Sequence, residues 1–246
     1  DITSRVLRMR FFRGRDFPAT LGGRSIASKA TITLNNESGD YSSFNTGSPI
    51  TGLVKPGRLV RIKAGSGAFP YDFPFVFSKS RTIFQGFLSS LKSRQISAGT
   101  ANLATLTAIG PLGHYNRDEV RVPLVSTITT GAAIDDILDQ AGVPAGDRSI
   151  DTGLTTMRRY WSDTVKPLTA LRGVEDTEAG FILESREGKI VFQDRQTRLT
   201  SPATTSQATF SDAAGAALTY RLVDQEDPLS LIYNRFRVSV DNDTVQ

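Results

Sequence analysis

Apolar and polar positions alternate with a period of two along most of the first hundred residues, which predicts a succession of strands. Residues 5–15 set Leu7, Met9 and Phe11 on one side and Arg8 and Arg10 on the other, and Gly14 with the Asp16-Phe17-Pro18 turn closes that strand. Residues 27–35 alternate Ala30, Ile32 and Leu34 with Lys29, Thr31 and Thr33, until Asn36-Glu37-Ser38-Gly39-Asp40 stops the run. A long polar loop follows, anchored by Tyr41, Phe44 and Leu53 and ended by the turn signal Lys55-Pro56-Gly57. Residues 58–64 then resume strand alternation, with Val60, Ile62 and Ala64 opposite Arg61 and Lys63. A loop of that length inside a compact domain is usually functional or makes contacts outside its own domain. Residues 80–97 read as one long strand or a bent pair with Gly86 as the bulge site, and residues 101–109 as another strand. Five or six antiparallel strands of this length suffice for a small barrel or sandwich.

The period changes after residues 110–117. Residues 120–128 are extended and β-branched, and Thr129 or Thr130 can cap a helix over 132–141 whose Ile134, Ile137, Leu138 and Ala141 share one face. Gly142 ends it, with Pro144 beyond. Residues 157–162 form a short strand carrying the single tryptophan, Trp161, and Thr164 is positioned to cap a second helix over 165–179 with Val165, Leu168, Leu171 and Val174 as its apolar face. The run FILE-SREG-KIVFQ is a hairpin with glycine in its turn. A Ser/Thr/Pro connector follows, and then strands over 208–211, 218–223 and 231–240. The predicted fold is mainly β with an α+β insertion: a β-barrel or sandwich domain over 1–117, an α+β domain over 118–200, and strands of a second β module over 201–246. Either the rest of that module lies beyond this sequence, or its three strands add to the earlier domains.

The stretch ATITLNNESGDYSSFNTGSPITGLVKPGRLVRIKA, followed by FQGFLSSLK and ATLTAIGPLG, resembles the N-terminal tube-like domain of tail hub proteins of tailed bacteriophages, the baseplate hub or minor tail proteins. The likeness covers about the first 115 residues closely and the rest more loosely, where the helix and AGFILESREGKIVFQDR resemble the second, α+β domain of the same family. No motif in it is chemically diagnostic.

Composition narrows the chemistry. With no cysteine and one histidine, His114, a disulfide framework, a thiolate nucleophile, a Cys-based zinc site and a histidine relay are all excluded. No apolar run approaches the roughly 18 residues that would span a bilayer. The chain opens at Asp1 rather than methionine, as a processed or trimmed terminus would. The 21 glycines and 11 prolines supply many turns. The net charge of +4 is unevenly placed, with Arg5, Arg8, Arg10, Arg13, Arg15 and Arg24 near the start. Such a stripe reads as a solvated or subunit-facing side of a strand, or alternatively as a phosphate-facing surface. The Gly65-Ser66-Gly67 run precedes an aromatic loop and no helix, so it is not a phosphate cradle. Asp135, Asp136 and Asp139 on the polar helix face read as solvated charge, with a metal or acid/base site as the alternative. Glu175, Glu178 and Glu184 are expected on exposed faces, although a glycosidase built from two converging carboxylates is conceivable.

The resemblance implies a structural, non-enzymatic protein of the virion tail tip, assembled in the host cytoplasm, with no catalytic, cofactor or metal residues. Hub chains of this family form homotrimer rings whose tube-like domains imitate the six-fold tail tube. Implied partners are other copies of the chain, the tail tube or distal tail protein, the tape measure protein, and tail fibre or spike proteins, with DNA passing only transiently through the lumen. Candidate interface residues are Arg8, Arg10, Tyr41, Phe44, Phe69, Tyr71 and Phe73, with Phe75 and Phe77 completing an aromatic loop. Other readings are a tail-associated cell-wall hydrolase fragment and a receptor-binding β module.

Overall fold

A computed structural model describes residues 2–16, 24–42, 45–50, 52–65, 80–94, 102–200, 204–205 and 211. The chain divides into two compact units, Asp1–Ser201 and Pro202–Gln246. In the second unit only Thr204, Thr205 and Ser211 are described, so the three strands expected there lie outside the described residues. The first unit is mainly β with a small α+β part.

Five strands make one antiparallel sheet: β1 (Val6–Asp16), β2 (Arg24–Asn35), β3 (Leu59–Gly65), β4 (Ser80–Arg94) and β5 (Leu103–Ile109), in the order β1-β2-β5-β4-β3. The alternation in β2 and β5 explains the register, because Ala30, Ile32 and Leu34 stand opposite Ala108, Leu106 and Ala104 on the buried face. Ile32 thus packs against Leu106 with the smaller pairs Ala30–Ala108 and Leu34–Ala104 on either side, and burial of each Leu, Ile or Phe contributes about 1.5–3 kcal/mol. Ile62, Phe84, Leu88 and Tyr41 complete this core. The sheet curls into a half-barrel: Arg13 on β1 donates to the Ile83 carbonyl of β4 at 3.2 Å, although β2 and β5 lie between them in the sheet order.

The described parts of the long loop fold back on their own sheet. Asn36 is buried, accepting from the Tyr41 amide at 2.9 Å and donating to Ser42 Oγ at 3.3 Å, and this brings the Tyr41 ring into the core. Ile50 and Val54 pack against that core, whereas Leu53 is exposed and anchors nothing. β4 is one continuous strand, and its irregularities fall beside Ile83 and between Leu88 and Ser90 rather than at Gly86. Gly86 is needed for another reason. A Cβ there would overlap the carbonyl oxygen of Ile109 on β5, so the two strands approach only because the side chain is absent.

Beyond the short helix α1 (Pro111–His114), a two-stranded ribbon pairs β6 (Val120–Thr129) with β8 (Thr156–Val165). Helices α2 (Thr130–Gln140) and α3 (Pro167–Glu178) cover a three-stranded sheet in which β7 (Arg148–Ile150) lies parallel to β10 (Ile190–Gln193), itself antiparallel to β9 (Phe181–Glu184). Ile134, Ile137 and Leu138 of α2 and Leu171 and Val174 of α3 are buried in a second core with Ile182, Ile190 and Phe192. Thr129 caps α2, accepting from Ala132 N at 3.3 Å. Thr164 does not cap α3, because β8 runs on through Val165 and the helix begins only at Pro167. The acceptor at that end comes from far away, since Leu168 N donates to Asn116 Oδ1 at 3.0 Å. The closing turn falls at Ala179, which adopts a left-handed conformation with φ 54°.

We expect Gly86→Ala to lower stability by about 1–3 kcal/mol through forced strand separation. Urea unfolding should show a lower midpoint with an unchanged slope; an unaltered midpoint would mean the strands tolerate the extra methyl group.

Candidate interaction surface

Among the described residues β1 is an outermost strand of the sheet, its backbone paired with β2. Its register decides which side chains share a face. Met9 and Phe11 stand opposite Ile32 and Ala30 on the core side, while Arg8, Arg10 and Phe12 stand opposite Thr33, Thr31 and Lys29 on the outer side. At the rim of a half-barrel the core side runs out of partners, so both faces are open: Leu7 is 59%, Met9 39%, Phe11 45% and Phe12 48% exposed. Arg8 and Arg10 are exposed as well. An outermost strand with apolar side chains and arginines on its two faces presents the composition of a protein–protein contact. Of the other candidate residues, Tyr41 is buried in the first core. Phe44, Phe69, Tyr71 and Phe73, with Phe75 and Phe77, lie outside the described residues.

The carboxylates behave differently from the expectation drawn from spacing. Glu175, Glu178 and Glu184 are all buried, not exposed. Glu184 Oε2 accepts from the Ser28 amide at 2.8 Å and Oε1 from the Leu112 amide at 2.7 Å, joining β9 to β2 and α1. Gly110 makes room for it, since a Cβ there would overlap Oε2. Glu178, fully buried, accepts from Thr130 Oγ1 at 2.7 Å, Thr155 N at 2.8 Å and Leu154 N at 3.2 Å, holding the segment before β8 onto the helices. Glu175 accepts from Ile182 N at 2.6 Å and pairs with Arg172, which also donates to the Ser25 carbonyl. Every one of these groups is occupied in joining segments, and such donors supply most of what makes a buried carboxylate tolerable. The signal was present in the sequence: Leu171, Val174, Glu175 and Glu178 fall at i, i+3, i+4 and i+7, so both glutamates lie on the buried stripe of α3.

Their titrations differ in sign. Burial pushes the Glu178 carboxyl up, and the donors from Thr130, Thr155 and Leu154 together outweigh it, leaving it below the usual range. At Glu184 burial wins over the Ser28 and Leu112 donors and the Arg13 charge, so its carboxyl lies above the usual range. The stability from Glu178 is therefore present above the ordinary glutamate value and is lost as pH falls through the lowered one. That from Glu184 is present below the ordinary value and is lost as pH rises through the raised one.

Clefts lie on the α+β part among the described residues. One of about 230 Å³ is lined by His114, Tyr115, Arg117, Asp118, Val120, Gln140 and Ala141. His114 stacks on Phe87 with ring centroids 3.8 Å apart, and burial and Arg117 push its pKa down. Another, of about 510 Å³, holds Asp135 and Asp139, both bonded to Arg148 on β7. These two aspartates are therefore ion-paired within the chain. Among the described residues no group of three or more His, Asp or Glu stands together as a metal site, and no helix is long and apolar enough to cross a membrane.

No protein-family model and no curated protein matches the chain. Solved structures do. The prophage MuSo2 43 kDa tail protein from Shewanella oneidensis is similar at 8% identity and TM-score 0.46, over 69% of this chain and 47% of that one. A tail protein from Neisseria meningitidis MC58 is similar at 8% identity and TM-score 0.47, over 76% of this chain and 46% of that one. The E. coli c3393 protein, a type VI secretion component with structural similarity to the T4 tail proteins gp27 and gp5, is similar at 12% identity and TM-score 0.43, over 70% and 43%. This chain spans a little under half the length of each.

Glu178→Ala should cost about 2–4 kcal/mol, because three donors lose their acceptor. In Glu178→Gln the loss of thermal stability as pH falls below the ordinary value of 4.5 should be shallower than in the wild type. Parallel wild-type and variant curves would show that another group drives the acid transition.

Proposed function

We propose that this chain is a structural component of a phage tail tip, a hub that assembles as a ring through its β-sheet modules. The observation that carries the reading is β1, an outermost strand whose apolar side chains and arginines are open on both faces. The resemblance of residues 1–115 to the tube-like domain of tail hub proteins supports it, as does a half-barrel sheet with outer strands at both ends. A ring needs heterologous contacts that close, and strands at sheet edges offer the backbone groups and side chains for them. In this reading three copies cap the tail tube, meet the tape measure protein and the fibre or spike proteins, and surround the channel through which DNA leaves. Arg8 and Arg10 then belong to contacts between chains, not to the lumen, where exposed guanidinium groups would hold phosphate and slow the passage of DNA.

Cryo-electron microscopy of the intact particle should place the chain in a ring directly below the tube, with Arg8 and Arg10 against a neighbouring chain. In sedimentation velocity, Phe11→Asp should weaken self-association tenfold or more while leaving the circular dichroism unchanged. A monomeric wild-type protein that is absent from particles would overturn the reading.

A further inference from the structure

The β6–β8 ribbon carries a second exposed patch on the opposite side from its core. Val120, Val122 and Ile128 point inward and are buried, with Tyr160 and Met157 packed against the same core. The outward residues are of another kind. Val122 pairs with Ser162 and Val125 with Tyr160, so Pro123 and Leu124 together stand opposite the single residue Trp161. This is a β-bulge, a device that re-aims side chains. It leaves Leu124 61% and Trp161 62% exposed at the same level of the ribbon. Along the ribbon Arg121 is exposed on one side of the bulge and Arg158 and Arg159 on the other, and Asp163 alone carries negative charge on these two strands, paired with Arg121 at 3.3 Å. Thr164 and Thr127, at φ 52° and 59°, hold conformations that β-branched residues rarely adopt, so the ribbon's shape is kept at a cost.

We infer that this patch docks a protein other than a copy of this chain, one presenting an apolar pocket rimmed by carboxylates. Three features select that occupant. The apolar pair lies between arginines that precede and follow it along the ribbon, which is the anatomy of a protein contact with an aromatic anchor. A nucleic-acid groove would put its cations at the centre along the phosphate path. β1, the open strand described above, carries Arg8 and Arg10 and is also basic, so ribbon and β1 repel each other between copies. Charge complementarity therefore points to an acidic partner of different sequence. The ribbon contact stands independently of the ring reading, which concerns β1.

Trp161 is the single tryptophan, so its emission reports the site directly. The probe is a display library of random twelve-residue peptides, panned on the immobilised full chain. Recovered peptides should share aspartate or glutamate flanking apolar residues, should shift the Trp161 emission to shorter wavelength, and should bind Trp161→Ala at least tenfold more weakly. Arg158→Glu with Arg159→Glu should cause a similar loss, while Phe11→Asp should bind as the wild type does. Circular dichroism confirms that each variant is folded, as expected for exposed positions. Peptides without acidic enrichment, or equally tight binding to Trp161→Ala, would overturn the inference. So would tighter, Trp161-dependent binding of a twenty-nucleotide single-stranded DNA, which would make the patch a nucleic-acid site. Loss of self-association in Trp161→Ala would overturn it in favour of a second copy, whereas loss in Phe11→Asp alone bears only on the ring.

Discussion

The fold of the first unit turns on one buried carboxylate. Glu184 sits on β9, yet its two oxygens accept from the amides of Ser28 and Leu112, one in the half-barrel sheet and one in the short helix that leaves it. β2 serves two cores. Ala30, Ile32 and Leu34 lie in the first, while Ala27 packs against the second. Arg24 reinforces the junction through Asp176 at 2.6 Å, and Arg172 does so through the Ser25 carbonyl. Removing a buried acceptor leaves its donors without partners, so the junction is held by polar groups that have nowhere else to go.

Polar groups buried in this way explain where the sequence reading succeeded and where it did not. The strands of the half-barrel were legible because their alternation is local: Ala30, Ile32 and Leu34 declare one buried face without reference to any other segment. The same holds for α2, whose Thr129 cap and apolar stripe are both contained within a dozen residues. Glu175, Glu178 and Glu184 are buried against the expectation from charge alone, although two of them share a stripe with Leu171 and Val174. Their donors are the amides of Ser28, Leu112, Leu154, Thr155 and Ile182 and the Thr130 hydroxyl, and no local pattern shows that these groups meet a carboxylate. The parallel pairing of β7 with β10 was missed for the same reason, since it joins residues some forty positions apart.

The candidate surface was legible in part. Alternating arginines on β1 were evident, and so was the apolar row between them. What the sequence does not reveal is that the apolar row overhangs the sheet, since Met9 and Phe11 belong to the core face by register but lie beyond its reach. Tyr41 shows the converse. It lies in a polar loop that resembles a contact segment, and yet Asn36 turns the chain so that its ring fills the first core. The bulge that brings Leu124 level with Trp161 depends on how two strands pair and has no signature in either strand alone.

The remote cap on α3 carries a consequence for how the chain acquires its shape. Asn116 precedes Leu168 by 52 residues, so on a ribosome the acceptor emerges well before the helix it will start. The Thr169 and Ala170 amides use the adjacent Lys166 carbonyl, whereas the Leu168 amide takes its partner from the earlier turn, so the start of the helix is tied to that turn. Any change at Asn116 therefore reaches the start of a helix 52 residues away.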